Sequence, residues 1–244
     1  MVYAVLGDIH SNLEALKAVL KTAEKAGADR FLCTGDIVGY NANPHECLKL
    51  MRELEPDIIV KGNHDEYVGS KVALTGFNKE AATAVEWTRS QLTEEEQDFL
   101  YELPYKSRLS MKVELAHATL DSPGGWEYVF DRFSANASMT YQSSQICFVG
   151  HTHVPVAFDK SLDIKQIDEE EEGITTQAGH KYLINVGSVG QPRDGDPRAA
   201  FVTYDTDEGV VRRHRVEYDM ESAQQRVLDV GLPERLAARL GIGC

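Results

Sequence analysis

The chain has 244 residues, which is enough to bury a substantial core, and we expect a single domain spanning residues 1–244. It carries 39 acidic against 25 basic residues, and this net charge of −14 argues against a protein that grips nucleic acid through a general basic surface. The four cysteines form no Cys-x-x-Cys pair, so we expect reduced thiols. No apolar run approaches the ~20 residues that span a bilayer, so we expect a cytoplasmic protein without a membrane partner.

Strands and helices alternate over the first 61 residues. Three short apolar runs have the character of buried strands, within 2–10, near 30–34 and near 57–61. A helix after the first run has Ser11 or Asn12 as its candidate N-cap, and a second helix is expected to begin at Asn43-Pro44, because proline is tolerated at the first helical position. This β-α-β-α-β order predicts a parallel sheet with right-handed crossovers.

The remaining chain is predicted to form helices and then mainly strands. Helical segments are expected over about 78–103, with a start at the capping box of Thr93 and Glu96. A strand, a helix and a further strand are expected in that order at 112–116, 131–143 and 146–149. Later strands without intervening helices imply antiparallel structure, near 154–158, 163–167, 181–186, 199–204 and 209–216.

Two further segments complete the prediction. The acidic run 168–172 is expected to be a solvated loop, and a last helical region at about 219–240 is broken by Gly231 and Pro233. Together the elements predict an α/β fold, a four-layer αββα sandwich in which two mixed β-sheets are flanked by helices.

Four apolar runs end in glycine followed by residues that can ligate metals. These blocks are Gly7-Asp8-Ile9-His10, Gly35-Asp36, Gly62-Asn63-His64-Asp65 and Gly150-His151-Thr152-His153. Glycine tolerates positive φ and lets the backbone pass close to a bound ion. Because sites in open α/β sheets form beyond the carboxyl ends of strands, these four ends are expected to share one crevice.

With His117 after the strand at 112–116, the order of the blocks resembles that of the calcineurin-like metallophosphoesterase family. The segment 185–193 also resembles a strand-to-loop block of its small bacterial and archaeal members. The resemblance implies two metal sites that share a bridging Asp36: one held by Asp8, His10, Asp36 and His153, and the other by Asp36, Asn63, His117 and His151. Independently of the family, oxygen and imidazole ligands without thiolate suit two divalent transition-metal ions, Mn, Fe, Ni, Co or Zn, better than Ca or Mg alone.

The resemblance implies a hydrolase, a dinuclear metal-dependent phosphoesterase that cleaves phosphate mono- or diesters through a metal-activated hydroxide. Such a centre carries a formal charge of about +1 and attracts phosphate. The expected partner is a small phosphorylated substrate, with nucleotides among the candidates; the ester class and the oligomeric state stay open. The alternative is a non-catalytic, metal-binding protein-interaction scaffold on the same fold, which the presence of His64 disfavours because relatives of that kind typically lack this histidine.

Roles in catalysis and substrate binding are expected for four further residues. By resemblance, His64 acts as general acid or stabilises the transition state, and Asp65 orients its ring and favours the imidazolium. Arg193 could clamp a phosphate oxygen or form a surface ion pair, and Asn12 could donate to the same phosphate. The other histidines are expected to be exposed or structural: His45, His180 and His214.

The block around His117 departs from the pattern of many small relatives, which have glycine directly after this histidine where Ala118 stands here. The loop that follows contains Trp126 and Tyr128 and could rim the pocket. Either ring could stack on a nucleobase or an aryl group, but aromatic residues also simply cover loops, and this covering role is the favoured interpretation.

Overall fold

Two six-stranded sheets organise the residues that this computed structural model describes, namely 1–70, 72–74, 78–167 and 173–244. The strands, in chain order, are β1 (Val2–Leu6), β2 (Arg30–Cys33), β3 (Ile58–Ile59), β4 (Lys106–Arg108), β5 (Val113–Ala116), β6 (Ile146–Val149), β7 (Val156–Lys160), β8 (Ile164–Ile167), β9 (Ile174–Thr175), β10 (Lys181–Asn185), β11 (Ala199–Asp205) and β12 (Val210–Val216). The helices are α1 (Leu13–Lys25), α2 (Pro44–Glu53), α3 (Asn63–Gly69), α4 (Lys79–Gln91), α5 (Glu94–Glu102), α6 (Arg132–Thr140), α7 (Met220–Asp229) and α8 (Glu234–Ile242). The acidic run expected to be a solvated loop, 168–172, lies outside the described residues.

Both sheets are mixed, as predicted. The first has the order β3-β2-β1-β11-β12-β9, and the second has the order β4-β5-β6-β10-β7-β8. β1, β2 and β3 are parallel to one another, as are β5, β6 and β10, whereas the other pairings are antiparallel. The parallel strands of both sheets therefore bring their carboxyl ends toward shared edges, where ligand sites form in α/β proteins.

β10 corrects the expectation that the strands after His153 are all antiparallel. It pairs in parallel with β6, with Leu183 opposite Cys147, and antiparallel with β7. Four of its five residues are buried, so β10 occupies the middle of its sheet instead of an edge.

The apolar residues divide into layers that match the predicted sandwich. Side chains such as Val5, Leu32 and Ile184 fill the space between the two sheets. Leu16 and Leu48 pack α1 and α2 on the outer face of the first sheet, and α6 covers the second sheet in the same way. The chain thus forms a four-layer α/β sandwich.

Several elements differ from the sequence prediction. α3, β4 and β9 were not expected, and β3 has only two residues where five were predicted. α3 has no apolar periodicity, and its first turn is instead closed by the Asp65 carboxylate, which accepts a hydrogen bond from Gly62 N. Helix α2 begins at Pro44 as predicted, but the Asn43 side chain makes no capping hydrogen bond.

The described residues contain no helix that is both long and apolar enough to cross a bilayer. All four cysteines are free thiols, and Cys33, Cys47 and Cys147 are buried.

Candidate metal centre

The residues predicted to ligate metal lie where five parallel strands end, three from one sheet and two from the other. Their ligand atoms form three buried groups, within each of which all the atoms lie inside 4.8 Å of one another. These groups are Asp8 with His10 and His153, His10 with Asp36 and His64, and Asp36 with His117 and His151. His10 joins the first group to the second, and Asp36 joins the second to the third, so Asp36 links His10 and His64 to His117 and His151.

The imidazole rings point one nitrogen at the centre of the cluster. His10 Nε2 lies 3.1 Å from His153 Nε2 and 3.5 Å from Asp36 Oδ2. On the other side of Asp36, His117 Nε2 lies 3.3 Å from Oδ2 and 3.2 Å from His151 Nδ1. Several ring nitrogens and carboxylate oxygens therefore converge on the same small volume.

The outer nitrogen of each of these four rings lies within hydrogen-bonding distance of a main-chain carbonyl oxygen. The carbonyl partners belong to Val38 for His10, Thr34 for His117, Trp126 for His151 and Gln191 for His153. A carbonyl can only accept, so each outer nitrogen carries the proton and donates it, and the inward nitrogen of a neutral ring keeps its lone pair. This arrangement is typical of histidines that ligate metals.

The backbone is strained at five of the predicted ligands. Asp8, His10, Asp36, His151 and His153 all have left-handed conformations, with φ between 46° and 69°. Non-glycine residues pay about 1–3 kcal/mol for such a conformation, which persists only where the surroundings enforce it. Main-chain hydrogen bonds between the turns hold these conformations, for example from His10 N to the carbonyl oxygen of Asp36 at 2.9 Å.

Close backbone approach also explains a glycine at the centre. A methyl group on Gly62 would overlap the Asp36 carboxylate, so any other residue would displace the side chain shared by two groups of the cluster.

The cluster shifts the pKa values of its members in opposite directions. Burial disfavours the imidazolium of His117, but the carboxylates of Asp36 and Asp8 outweigh burial and raise its pKa to about 9. Burial and the charge of His117 lower the pKa of His151 to about 3. The pKa of Asp36 lies well below its usual range. Burial opposes ionisation of this carboxylate, but the charges of His117, His64 and His10 outweigh burial. The two shifts favour an ion pair between Asp36 and His117, whose Oδ2 and Nε2 atoms lie 3.3 Å apart.

Asn63 supplies an independent indication that these residues fit metal ions. Its Oδ1 atom is buried and has no hydrogen-bond partner in the part of the chain that the structure describes. A buried polar atom without a partner is costly, and a cation beside it removes that cost. Carboxylate, amide and imidazole donors without thiolate suit divalent transition metals.

His64 lies beside this cluster, and its ring contacts two other rings. Its ring centroid is 4.8 Å from that of His10 and 4.3 Å from that of Tyr40, and its backbone N–H donates to Asp36 Oδ1 at 2.8 Å. Burial lowers the pKa of His64 to about 4, with the charges of Arg193 and His153 acting in the same direction against that of Asp36. Burial of the ring therefore favours the neutral form, whereas the charge of Asp36 favours the expected imidazolium.

Asp65 has hydrogen-bond partners other than those expected for it. Its two carboxylate oxygens accept from the backbone N–H groups of Asp36 at 2.8 Å, Ile37 at 2.9 Å, Val38 at 3.3 Å and Gly62 at 3.1 Å. Both oxygens thus serve the turn that carries Asp36. This geometry supports a role for Asp65 in shaping the ligand turns, and its role in orienting the His64 ring stays a prediction.

The two predicted substrate contacts are placed differently from each other. Asn12 is buried, accepts from Ala15 N as the cap of α1 and donates to the Gly190 carbonyl at 3.0 Å, so both ends of its amide are engaged within the protein. Arg193 lies at the margin of the cluster, with its guanidinium carbon 5.5 Å from the centre of the Tyr40 ring. Arg193 therefore lies beside the site and the Asn12 amide is bonded within the protein, and contact of either side chain with a phosphate stays a prediction.

Sequence reasoning missed Tyr40, whose ring contacts the rings of both His10 and His64. It also missed the carbonyl groups of Trp126 and Gln191. The sequence carried a signal for Tyr40, because Gly39-Tyr40 closely follows the Gly35-Asp36 block. The carbonyl partners leave no trace in sequence, since every residue has one.

The remaining histidines lie outside the cluster. His45 is exposed and pairs with Glu96, His180 pairs with Asp159, and His214 Nε2 lies 2.8 Å from the Thr203 hydroxyl. The expectation that they are structural or exposed matches these positions.

Comparison with known proteins identifies similar chains over the full length. The model of the calcineurin-like phosphoesterase superfamily domain matches residues 1–209. An uncharacterized protein of Methanocaldococcus jannaschii is 40% identical over 243 residues, which cover 98% of this chain and 97% of that protein. The crystal structure of a metallophosphoesterase from Sphaerobacter thermophilus is 37% identical with a TM-score of 0.88, covering 100% of this chain and 99% of that one. A hypothetical protein from Pyrococcus horikoshii shares the fold at 19% identity, with a TM-score of 0.80 and coverage of 100% and 98%.

Proposed function

Because this chain belongs to the calcineurin-like phosphoesterase superfamily, we propose that it hydrolyses phosphate mono- or diesters at a centre of two divalent transition-metal ions. The proposal is carried by one observation, the convergence of inward-facing imidazole nitrogens on the carboxylates of Asp8 and Asp36. The expected substrates are small phosphorylated compounds, nucleotides among them.

The residues that would hold the ions are divided between the two ends of the cluster. Asp8, His10, Asp36 and His153 would hold one, and Asp36, Asn63, His117 and His151 the other. When bound, the ions supply positive charge that attracts the phosphate and lowers the pKa of water toward ~7. The main-chain carbonyls that accept from the four rings keep each inward nitrogen in place, so little reorganisation is needed.

His64 would act on the leaving group. Its backbone N–H donates to Asp36, and its ring contacts the rings of Tyr40 and His10. His64 therefore lies close to any phosphate bound at the cluster. A neutral, buried His64 becomes easier to protonate when an anionic phosphate enters, because the phosphate acts on it in the same sense as Asp36. His64 would then pass its proton to the departing oxygen or hold that oxygen by a hydrogen bond.

Arg193 would hold a peripheral phosphate oxygen. Its guanidinium hydrogen-bonds to Gln191 Oε1 at 2.9 Å and lies over Tyr40, so it is aimed toward the cluster by neighbours of the site. We assign Asn12 the bracing role that its two internal hydrogen bonds describe.

The test is steady-state hydrolysis of p-nitrophenyl phosphate and of bis(p-nitrophenyl) phosphate by protein loaded with Mn, Ni or Co. Turnover that disappears on chelation and in Asp36→Asn supports the hydrolase. Absence of turnover on a panel of phosphate esters, with two metal equivalents bound, would refute it in favour of the interaction scaffold.

A further inference from the structure

A stack of aromatic rings leads outward from the candidate metal centre. The Tyr128 ring lies on His151 with a centroid distance of 4.3 Å and an interplanar angle of 19°. Phe130 in turn stacks on Tyr128 at 5.3 Å and 11°. We call the rings of Tyr128 and Phe130 the aromatic strip. It begins in contact with a predicted metal ligand and ends at the surface.

The strip is open to solvent and does not cover the core. Tyr128 is 49% exposed and Phe130 is 59% exposed, whereas Val129 between them is 3% exposed and packs into the core under α6. The segment thus alternates, with the valine inward and both aromatic rings outward. The core beneath this loop is covered by Val129.

The segment that carries the strip is held in place at both ends. Trp126 has a left-handed backbone with φ of 56°, and its carbonyl oxygen lies 2.9 Å from His151 Nε2. Val129 fixes the chain against the core, and Asp131, directly after Phe130, accepts from Phe133 N and Ser134 N as the N-cap of α6. The rings are therefore presented in a defined position beside the centre, as a binding platform requires.

We propose that the aromatic strip binds a planar aromatic group of the substrate, joined to the phosphate that the cluster takes. The proposal rests on the proposed function, because the cluster must hold the phosphate for the strip to reach the rest of the molecule. Exposed aromatic rings gain by stacking, since a nucleobase or aryl group removes apolar surface from water at both partners. The strip would make the enzyme select nucleotides or aryl phosphates over alkyl phosphates.

The experiment measures binding with hydrolysis-resistant phosphonates by isothermal titration calorimetry, on manganese-loaded protein. The probes are methylphosphonate, phenylphosphonate and the adenosine 5′-phosphonate in which carbon replaces the ester oxygen. The variant is Phe130→Ala, which removes a ring that does not touch the cluster. The matched control is Phe133→Ala, an 80% exposed phenylalanine on α6 outside the strip.

Stacking of one base on aromatic side chains is worth about a 5- to 150-fold change in affinity by alanine substitution. Phe130→Ala is therefore expected to lower the affinity for the two aromatic probes by about this factor and to leave the affinity for methylphosphonate unchanged. Phe133→Ala is expected to leave the affinity for all three probes unchanged. Weakening of the adenosine probe alone identifies a nucleobase, and weakening of both aromatic probes identifies any planar ring.

The binding role of the strip would be refuted if wild type and Phe130→Ala had equal affinity for both aromatic probes. It would also be refuted if Phe130→Ala lost as much affinity for methylphosphonate as for the aromatic probes. This result is independent of turnover. If binding depends on Phe130 but no ester is hydrolysed, the role of the strip is supported and the proposed hydrolase is refuted. If esters are hydrolysed but binding does not depend on Phe130, only the role of the strip is refuted.

Discussion

His64 is the residue whose role is tested most sharply by a single substitution. His64→Gln keeps a polar side chain of similar length in the space beside Tyr40. We expect two bound metals and a near-normal melting temperature, but a loss of about 10²- to 10⁴-fold in kcat/KM on an alkyl phosphate ester. The loss on p-nitrophenyl phosphate should be much smaller, because p-nitrophenolate leaves without a proton.

Metal content by elemental analysis serves as the control for this comparison. His64 also shares a group of potential ligand atoms with His10 and Asp36. A reduced metal content in His64→Gln would therefore make it a ligand, and equal losses on both esters with intact metals would make it an electrostatic clamp.

Asp36 and His153 differ in how many groups of the cluster they join. Asp36 belongs to two groups and His153 to one. Asp36→Asn is expected to weaken both metal sites, since it removes the charge they share, whereas His153→Ala is expected to weaken one. Metal titration of chelator-treated protein followed by calorimetry measures this, and selective loss of one ion in Asp36→Asn would contradict the bridging role.

At the scale of elements, α3 is joined to the turn after β2 through Asp65. The carboxylate accepts four backbone N–H groups, three of them from residues 36–38. Asp65→Asn replaces one accepting oxygen with an amino group that cannot accept. We expect a loss of about 2–4 kcal/mol in the free energy of unfolding, because buried donors are left unpaired, together with weaker metal binding at Asp36.

Urea unfolding of the metal-free protein measures this loss, and Glu66→Gln is the matched control in the same helix. Glutamine keeps an oxygen for the Tyr105 hydroxyl, which donates to Glu66 Oε1 at 3.0 Å. The control should change stability by less than about 1 kcal/mol. A similar stability for both variants would argue against Asp65 as the tie between the two elements.

At the scale of the whole molecule, the candidate ligands come from both sheets and lie at one edge of the sandwich. Bound metals would therefore link the sheets and stabilise the folded state by mass action. Free metal at a hundredfold excess over Kd contributes about 2.7 kcal/mol, which raises the melting temperature of a chain of this size by about 5–10 °C. Differential scanning calorimetry with and without chelator checks this, and Asp36→Asn should lose most of the shift. A melting temperature indifferent to metal in the wild type would show that the ions do not bind the native state.

Local sequence determined the parts of this protein that depend on neighbouring residues. Apolar runs that end in glycine and ligand-type side chains predicted β1, β2 and β6 and the positions of Asp8, Asp36 and His151, because strand period and glycine tolerance are properties of short segments. The capping box at Thr93 and the break at Gly231 likewise placed the ends of α5 and α7. The family resemblance supplied the division of ligands between two sites, which no single block contains.

Tertiary structure alone decided which partner each polar side chain meets. Asp65 is adjacent to His64 in sequence, yet its partners at residues 36–38 are 27 to 29 positions away. Asn12 is likewise bound to Gly190, and the Tyr128 ring came to lie on His151, only once the sheets had packed. A local pattern specifies which side chains follow a strand. Hydrogen-bond partners and ring stacking instead depend on distances between segments that meet only in the folded chain. The same packing placed β10 in parallel beside β6.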